Sequence, residues 1–520
     1  MNFIDNLTKT INNEKTLTTN GAVVYKSTGT KLLDLNFSVT SLRNASETQI
    51  INKFMDAFYE NKIYAMRWLF WVRDIRGDGM GERRLFRTIM TYLAKEFPDI
   101  AKAVMDYMAE VGRWDDLLVL FDTELKKEVV NIIKTQLLSD FNNYHNGKSI
   151  SLISKWLPSC NSKNKHVRKF ALKLLHAMGI HEVKYRKMLS KLRAYLDIVE
   201  VKMSSKRWDE IEYSKVPSKA NIVYNKAFLR NDEERRREYL DSLQKGETKI
   251  NASTLFPHDI VNQYCGIGRT AKPFDATLEE LWKALPDYVK GNGNTICVAD
   301  GSGSMTSRIG NTNVSCLNVA NALSIYFSER ASGQFKDKFI TFSRRPQLID
   351  MSQATSLREK LNIMARHNEV ANTNIEAVFD LILRSAIENN MTQDDMPDNI
   401  LILSDMKFDS CCESNSGYLS GRWGTSIQQS KTLFETIAQK YAAAGYLLPR
   451  LCFLNICGRT DTIPVKQNEL GVALISGFSP AIAKMVLSNK TDPFECLLEQ
   501  IMTPRYDVIE ERLTDILKVA

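Results

Sequence analysis

The 520-residue chain is 44% apolar and 25% charged, with a formal net charge of +8. That balance excludes a disordered or collagen-like chain, and the length exceeds what one hydrophobic core usually supports, so two domains are expected. No apolar run reaches the roughly 18 residues that span a bilayer, and the opening MNFIDNLTKTINNEKTLTT lacks the basic-then-apolar order of a secretory signal, so a soluble, cytoplasmic protein without membrane contact is expected.

The first half reads as helix after helix. Ser46 and Gln49 have capping-box spacing, and Ile50, Ile51, Phe54, Met55 and Phe58 then recur at helical intervals. Helical patterns follow at 63–74, 82–96, 99–111, 115–121, 125–139, 165–178, 182–202, 219–229 and 232–244, with short connections such as Gly77-Asp78-Gly79 and Gly112. Short loops between successive helices predict an α-solenoid of HEAT-like character over residues 1–255. Pro257, Gly266, Gly268, Pro273 and Pro286 punctuate a connection at 256–290 holding one helix at 277–284.

From 291 to 520 apolar runs alternate with amphipathic helices. The expected strands are Thr295 to Ala299, Lys338 to Phe342, Gln347 to Asp350, Asn399 to Leu403, Leu451 to Ile456 and Val472 to Ile475, with helices at 312–331, 374–389, 428–443 and 480–488. This order predicts an α/β domain with a mostly parallel, doubly wound sheet, whose ligands would sit beyond the carboxyl ends of the strands.

Charge is unevenly spread. Residues 151–250 hold 23 Lys+Arg against 12 Asp+Glu, and within 151–193 the count is 11 to 1. Such density is either a solvated helix face or the footprint of a polyanion. The nine cysteines are scattered, without a C-x-x-C pair, which predicts reduced thiols and no zinc site, with Cys411-Cys412 read as part of a polar loop.

Three segments should meet at the sheet's carboxyl edge. TICVAD breaks into Gly301-Ser302-Gly303-Ser304-Met305, placing the Asp300 carboxylate beside two hydroxyls; Ala371-Asn372-Thr373-Asn374 adds Thr373; and Leu403-Ser404-Asp405 ends a strand on a carboxylate. Taken singly these are ordinary caps and turns. Together they form a set of hard oxygen donors suited to Mg2+ or another divalent cation. The Gly/Ser-rich stretch 406–427, tipped by Trp423, follows directly and reads as a lid, a protein-binding surface or a tolerated insertion.

The strand followed by DGSGSM, the later Thr loop and the later strand-Asp resemble the metal-ion-dependent adhesion site of von Willebrand factor A domains. That resemblance implies that Ser302 and Ser304 ligate the ion directly, Thr373 through its hydroxyl, and Asp300 and Asp405 directly or through water, the sixth position being taken by a carboxylate of a protein ligand. In the helical half, Arg73-Asp74-Ile75-Arg76-Gly77, Gly81-Glu82-Arg83 and Gly112-Arg113-Trp114-Asp115-Asp116-Leu117 resemble TROVE proteins, the Ro autoantigen and its bacterial relatives. TTNGAVVYKSTG, SLISKWLPS and WDEIEYSKVPSKA are closer still to uncharacterised TROVE-like proteins of fungi, plants and phages. The resemblance implies a monomeric ring of helical repeats closed by the von Willebrand A domain, binding small noncoding or misfolded RNA.

The phosphate contacts so implied are Lys155, Lys163, Lys165, Arg168, Lys169, Lys173, Lys184, Arg186, Lys187, Lys191 and Arg193, with Tyr185 and Trp156 as stacking partners for unpaired bases. Trp156 before Pro158 reads equally as core, and Arg73, Arg76, Arg83 and Arg84 as structural partners of Asp74, Asp78 and Glu82. No G-x-S-x-G elbow or P-loop is present, so a non-catalytic scaffold is expected. The competing readings are a metal-dependent protein adaptor and a structural component of a larger particle such as a virion.

Overall fold

The computed structural model describes residues 15–17, 23–265, 271–289, 294–310, 312–342, 345–367, 374–406, 433–456, 472–477, 483–487, 490 and 492–519. They divide into two units, Met1–Glu60 with Leu255–Ile501, and Asn61–Thr254 with Met502–Ala520. Both termini therefore depart from the contiguous 1–255 and 291–520 division that the alternation of elements suggests.

In the first unit a ribbon pairs β1 (Lys15–Leu17) with β2 (Val23–Tyr25), antiparallel. The main sheet comprises β3 (Thr295–Asp300), β4 (Lys338–Phe342), β5 (Leu348–Asp350), β6 (Asn399–Ser404), β7 (Arg450–Asn455) and β8 (Val472–Ser476), in the order β5-β4-β3-β6-β7-β8. Every neighbour is parallel except the short edge strand β5, which runs antiparallel to β4. All six residues of β3 are buried and β6 is buried from its second residue on, as strands covered on both faces require. The helix Cys316–Arg330 packs on β3, buried along nearly its whole length.

The N-terminal segment belongs here because it satisfies the polar ends of two strands. Thr40 Oγ1 donates to the Asn455 carbonyl at 3.1 Å, Asn455 Nδ2 donates to the Phe37 carbonyl at 2.9 Å, and the Ser476 hydroxyl lies 3.2 Å from that of Thr40. Leu32, Leu33, Leu35, Phe37 and Val39 of the same segment are buried. The expected capping box is present: Ser46 N–H donates to Gln49 Oε1 at 2.9 Å and Gln49 N–H to Ser46 Oγ at 3.2 Å.

The second unit is a succession of helices packed on their sequence neighbours, as in a solenoid. Lys62–Arg73 packs on Arg83–Glu96, which packs on Pro98–Val104; Lys126–His145 packs on both Lys165–Met178 and Glu182–Tyr195; Ser218–Asn231 packs on Glu233–Gln244. The helix expected over 182–202 stops at Tyr195, since Asp197 adopts a positive φ of 51°, and resumes at Val199–Ser204. The helix Asp507–Val519 joins this unit through charge: Arg67, 1% exposed, donates to Asp507 at 2.6 Å and Glu510 at 2.8 Å.

The Arg73–Gly77 and Gly112–Leu117 segments interlock in this unit. Arg73 donates to Asp116 from Nε at 3.0 Å and Nη2 at 2.7 Å, Arg76 Nε to the Gly112 carbonyl at 3.2 Å, and Ile75 N–H to the Val111 carbonyl at 3.0 Å. Glycine is required at Gly112, where a Cβ would lie 2.3 Å from Asp116 Oδ2, and at Gly79, where it would lie 2.1 Å from the Trp71 carbonyl. For Arg73 and Asp74 the partners differ from the local ones expected. Arg73 pairs with Asp116, and Asp74 is taken by Arg505 and by the Tyr506 hydroxyl at 3.0 Å.

Candidate functional site

The strand order reverses between β3 and β6: the chain runs outward from β3 through β4 to β5 on one side and from β6 through β7 to β8 on the other. Loops leaving the carboxyl ends of β3 and β6 diverge at such a switch point and open a crevice. Ala299 pairs with Leu403, so Asp300 and Ser404 emerge side by side.

The Ser404 hydroxyl donates to Asp300 Oδ2 at 2.7 Å and Ser302 N–H to Asp300 Oδ1 at 2.9 Å, while the Ser302 and Ser304 hydroxyls lie 3.0 Å apart. Asp300, Ser302 and Asp405 are buried and Ser304 is half-buried. Burial, with the Asp405 charge added, pushes the Asp300 carboxyl up to about 6, against the hydrogen bonds from Ser404 and Ser302. Met406 follows with a φ of 62°, its N–H donating to Ser404 Oγ at 3.0 Å.

The donors here are two carboxylates and two loop hydroxyls, all oxygen. Among the described residues no group of three or more His, Cys, Asp or Glu gathers for a metal, so a cation here would rely on hydroxyls and water, the chemistry of a hard ion such as Mg2+. Thr373 and residues 407–427 of the following stretch lie outside the described residues. Ser404, which fixes Asp300, went unread in the sequence; its signal was a hydroxyl one position before the strand-end Asp405.

The basic tract builds two helices. Lys165–Met178 opens with Asn164 Oδ1 accepting from His166 N–H at 2.9 Å and closes on the left-handed Gly179. Its Ala171, Leu174, Leu175 and Met178 are buried, as are Tyr185, Met188, Leu189 and Leu192 of Glu182–Tyr195. The opposite faces carry the charge. Lys163, Lys165, Arg168, Lys169, Lys173, Lys184, Arg186, Lys187 and Lys191 are exposed. Among the described residues no ion pair involves these nine side chains.

Two of the expected contacts make internal hydrogen bonds. Arg193 is half-buried, donating to the Ser154 carbonyl at 2.8 Å, the Ser159 hydroxyl at 2.7 Å and the Leu157 carbonyl at 2.7 Å. It holds the 154–159 turn against its helix. Tyr185 is fully buried and donates its hydroxyl to the Pro158 carbonyl at 2.9 Å, so it offers no face to a base. Lys155 and Trp156 are half-buried, and the Arg113 guanidinium lies 3.9 Å over the Trp156 ring.

Fold and site together define a two-unit protein, one unit α/β with an acid-and-hydroxyl loop at its switch point, the other helical with a basic face. Residues 18–141 and 121–294 match the family described as a domain of unknown function, DUF2828, and residues 294–507 match a second such family, DUF7788. An uncharacterized protein of Acanthamoeba polyphaga mimivirus is 30% identical over 524 residues, covering 92% of this chain and 86% of that protein. The chain belongs to the DUF2828 family. Among solved structures, the RO (RSR) protein of Deinococcus radiodurans aligns over 91% of this chain and 93% of that one, at 13% identity and a TM-score of 0.37.

Proposed function

We propose that this protein is a non-catalytic RNA-binding scaffold whose α/β unit carries a divalent cation. The observation behind the RNA reading is the pair of consecutive helices, with the turn before them, that expose Lys163, Lys165, Arg168, Lys169, Lys173, Lys184, Arg186, Lys187 and Lys191 with Glu182 the one acid in the stretch. Cations without internal partners gain little for stability and repel one another, whereas a phosphate backbone neutralises them with release of counterions. The likeness of the Arg73 and Gly112 segments to TROVE proteins points the same way.

For the cation, Asp300, Ser302, Ser304 and Asp405 supply oxygen donors at the switch point, and the sequence resemblance supplies Thr373 as a further donor. The bound ion would offset the buried negative charge of the two carboxylates.

Titration of full-length protein against a fluorescent, structured small RNA at several salt concentrations tests the RNA reading. Binding is expected to weaken steeply with salt, and Lys165→Glu, Lys169→Glu and Lys173→Glu combined should flatten the log–log slope by roughly two to three. Stability should change by under about 0.5 kcal/mol, since the three side chains are exposed. Salt-insensitive binding, or an unchanged slope in the triple variant, would remove RNA from this face.

A further inference from the structure

Beside the basic helices the fold leaves a cleft of about 600 Å³ lined by Lys155, Trp156, Ser162, Val167, Arg193 and Glu200, among others. Its chemistry is mixed in a particular way. Trp156 supplies an aromatic surface that is held in place: Arg113 covers the ring at 3.9 Å and is itself fixed by Asp115 through Nε at 2.9 Å and Nη2 at 2.8 Å. Arg113 is not among the lining residues, and Trp156 is.

Arg193 brings a charge met by neutral acceptors alone, two carbonyls and a hydroxyl. Those bonds engage three of the five N–H donors a guanidinium carries, leaving capacity for an anion. Lys155 adds a second cation to the lining. Glu200 is the one acid there: Oε1 accepts from the Tyr224 hydroxyl at 3.3 Å, while Oε2 is buried with no donor among the described residues. A carboxylate oxygen shielded from water without a donor carries a desolvation cost that an incoming N–H would offset.

We infer that this cleft binds an unpaired base of single-stranded RNA, stacked on Trp156, its phosphate on Lys155 and Arg193, and its amino group donating to Glu200. The inference rests on the RNA-binding reading and deepens it, converting a sequence-blind charged face into one with a seat for a base. Aromatic stacking accepts any base, so selection falls to Glu200, which favours a base with an exocyclic amine over uracil, whose corresponding group is an acceptor.

The test uses the full chain and two fluorescein-labelled ten-nucleotide single strands, one of cytidine and one of uridine, followed by anisotropy at fixed salt. The cytidine strand is expected to bind roughly five- to tenfold tighter. Glu200→Gln should remove that preference, and Trp156→Ala should weaken the cytidine strand roughly tenfold with an unchanged salt slope, while Trp156→Phe retains most of the affinity. Denaturation of each variant verifies that the Arg113 stack has not cost the fold. Equal affinity for the two strands in the native protein, or native affinity in a folded Trp156→Ala, overturns the base cleft while salt-dependent binding of structured RNA still stands. Failure of every RNA to bind overturns the underlying reading instead.

Discussion

Asp116 in the helical unit and Asp300 in the α/β unit are equally withdrawn from water, 0% and 1% exposed, yet their surroundings are opposite. Asp116 receives Arg73 and Arg87 guanidinium donors, the latter at 2.6 Å, and the Arg113 N–H at 2.9 Å. Asp300 receives the Ser404 hydroxyl and the Ser302 N–H, both neutral, and faces the charge of Asp405. An acid whose counter-charges come from its own chain is a structural strut. An acid pair furnished with hydroxyls is the arrangement that a cation from solution would complete.

The sharpest way to break this contrast is to remove each acid. Asp116→Ala leaves Arg73 buried without its partner, and the expected loss is about 3–5 kcal/mol, read from the urea midpoint with an unchanged m-value. A loss below about 1 kcal/mol would end the strut reading. Asp300→Asn keeps the side-chain shape and removes like-charge repulsion, so in chelator its stability should match or exceed that of the native protein. Added Mg2+ at about 100 times its Kd should then stabilise the native protein by about 2.7 kcal/mol and leave Asp300→Asn unmoved. Equal Mg2+ shifts in both proteins would place the ion elsewhere.

The two acids also differ in how legible they were. Asp300 sits at a strand end that an apolar run announces, and the parallel sheet puts every such end on one edge, so period and order were enough to bring the Asp300 loop and Asp405 to one edge. Ser404 escaped because its one signal, a hydroxyl next to Asp405, reads equally as an ordinary turn residue at a strand end. Buried pairing in the helical unit is set by tertiary approach: Asp74 lies beside Arg73 and Arg76 in sequence but binds Arg505, and nothing periodic links residues that far apart. For the same reason the Thr40 bonds to Asn455 and Ser476, which draw the N-terminal segment to the sheet, were unreadable. Tyr185 was readable and misjudged. With Met188, Leu189 and Leu192 it completes an i, i+3, i+4, i+7 stripe, the mark of a core position.

A finer cut falls within the Asp116 cluster itself. Its neighbour Asp115 is half-exposed, 22% at the side chain, and takes Arg87 at 2.9 Å and Arg113 at 2.8 Å. Partial burial works to raise its pKa, but the hydrogen bonds from Arg87 and Arg113 outweigh it and hold the carboxyl below the usual Asp value. A depressed carboxyl contributes stability that is present above the unfolded pKa of about 3.9 and is lost as pH falls through the folded value. Asp115→Asn should therefore cost little at neutral pH, under about 1 kcal/mol for an ion pair still reached by water, and should shallow the acid limb of the stability curve below about pH 4. The reading is taken from urea midpoints between neutral pH and pH 3. An acid limb identical to that of the native protein would leave Asp115 a surface partner with no share in the acid-linked stability.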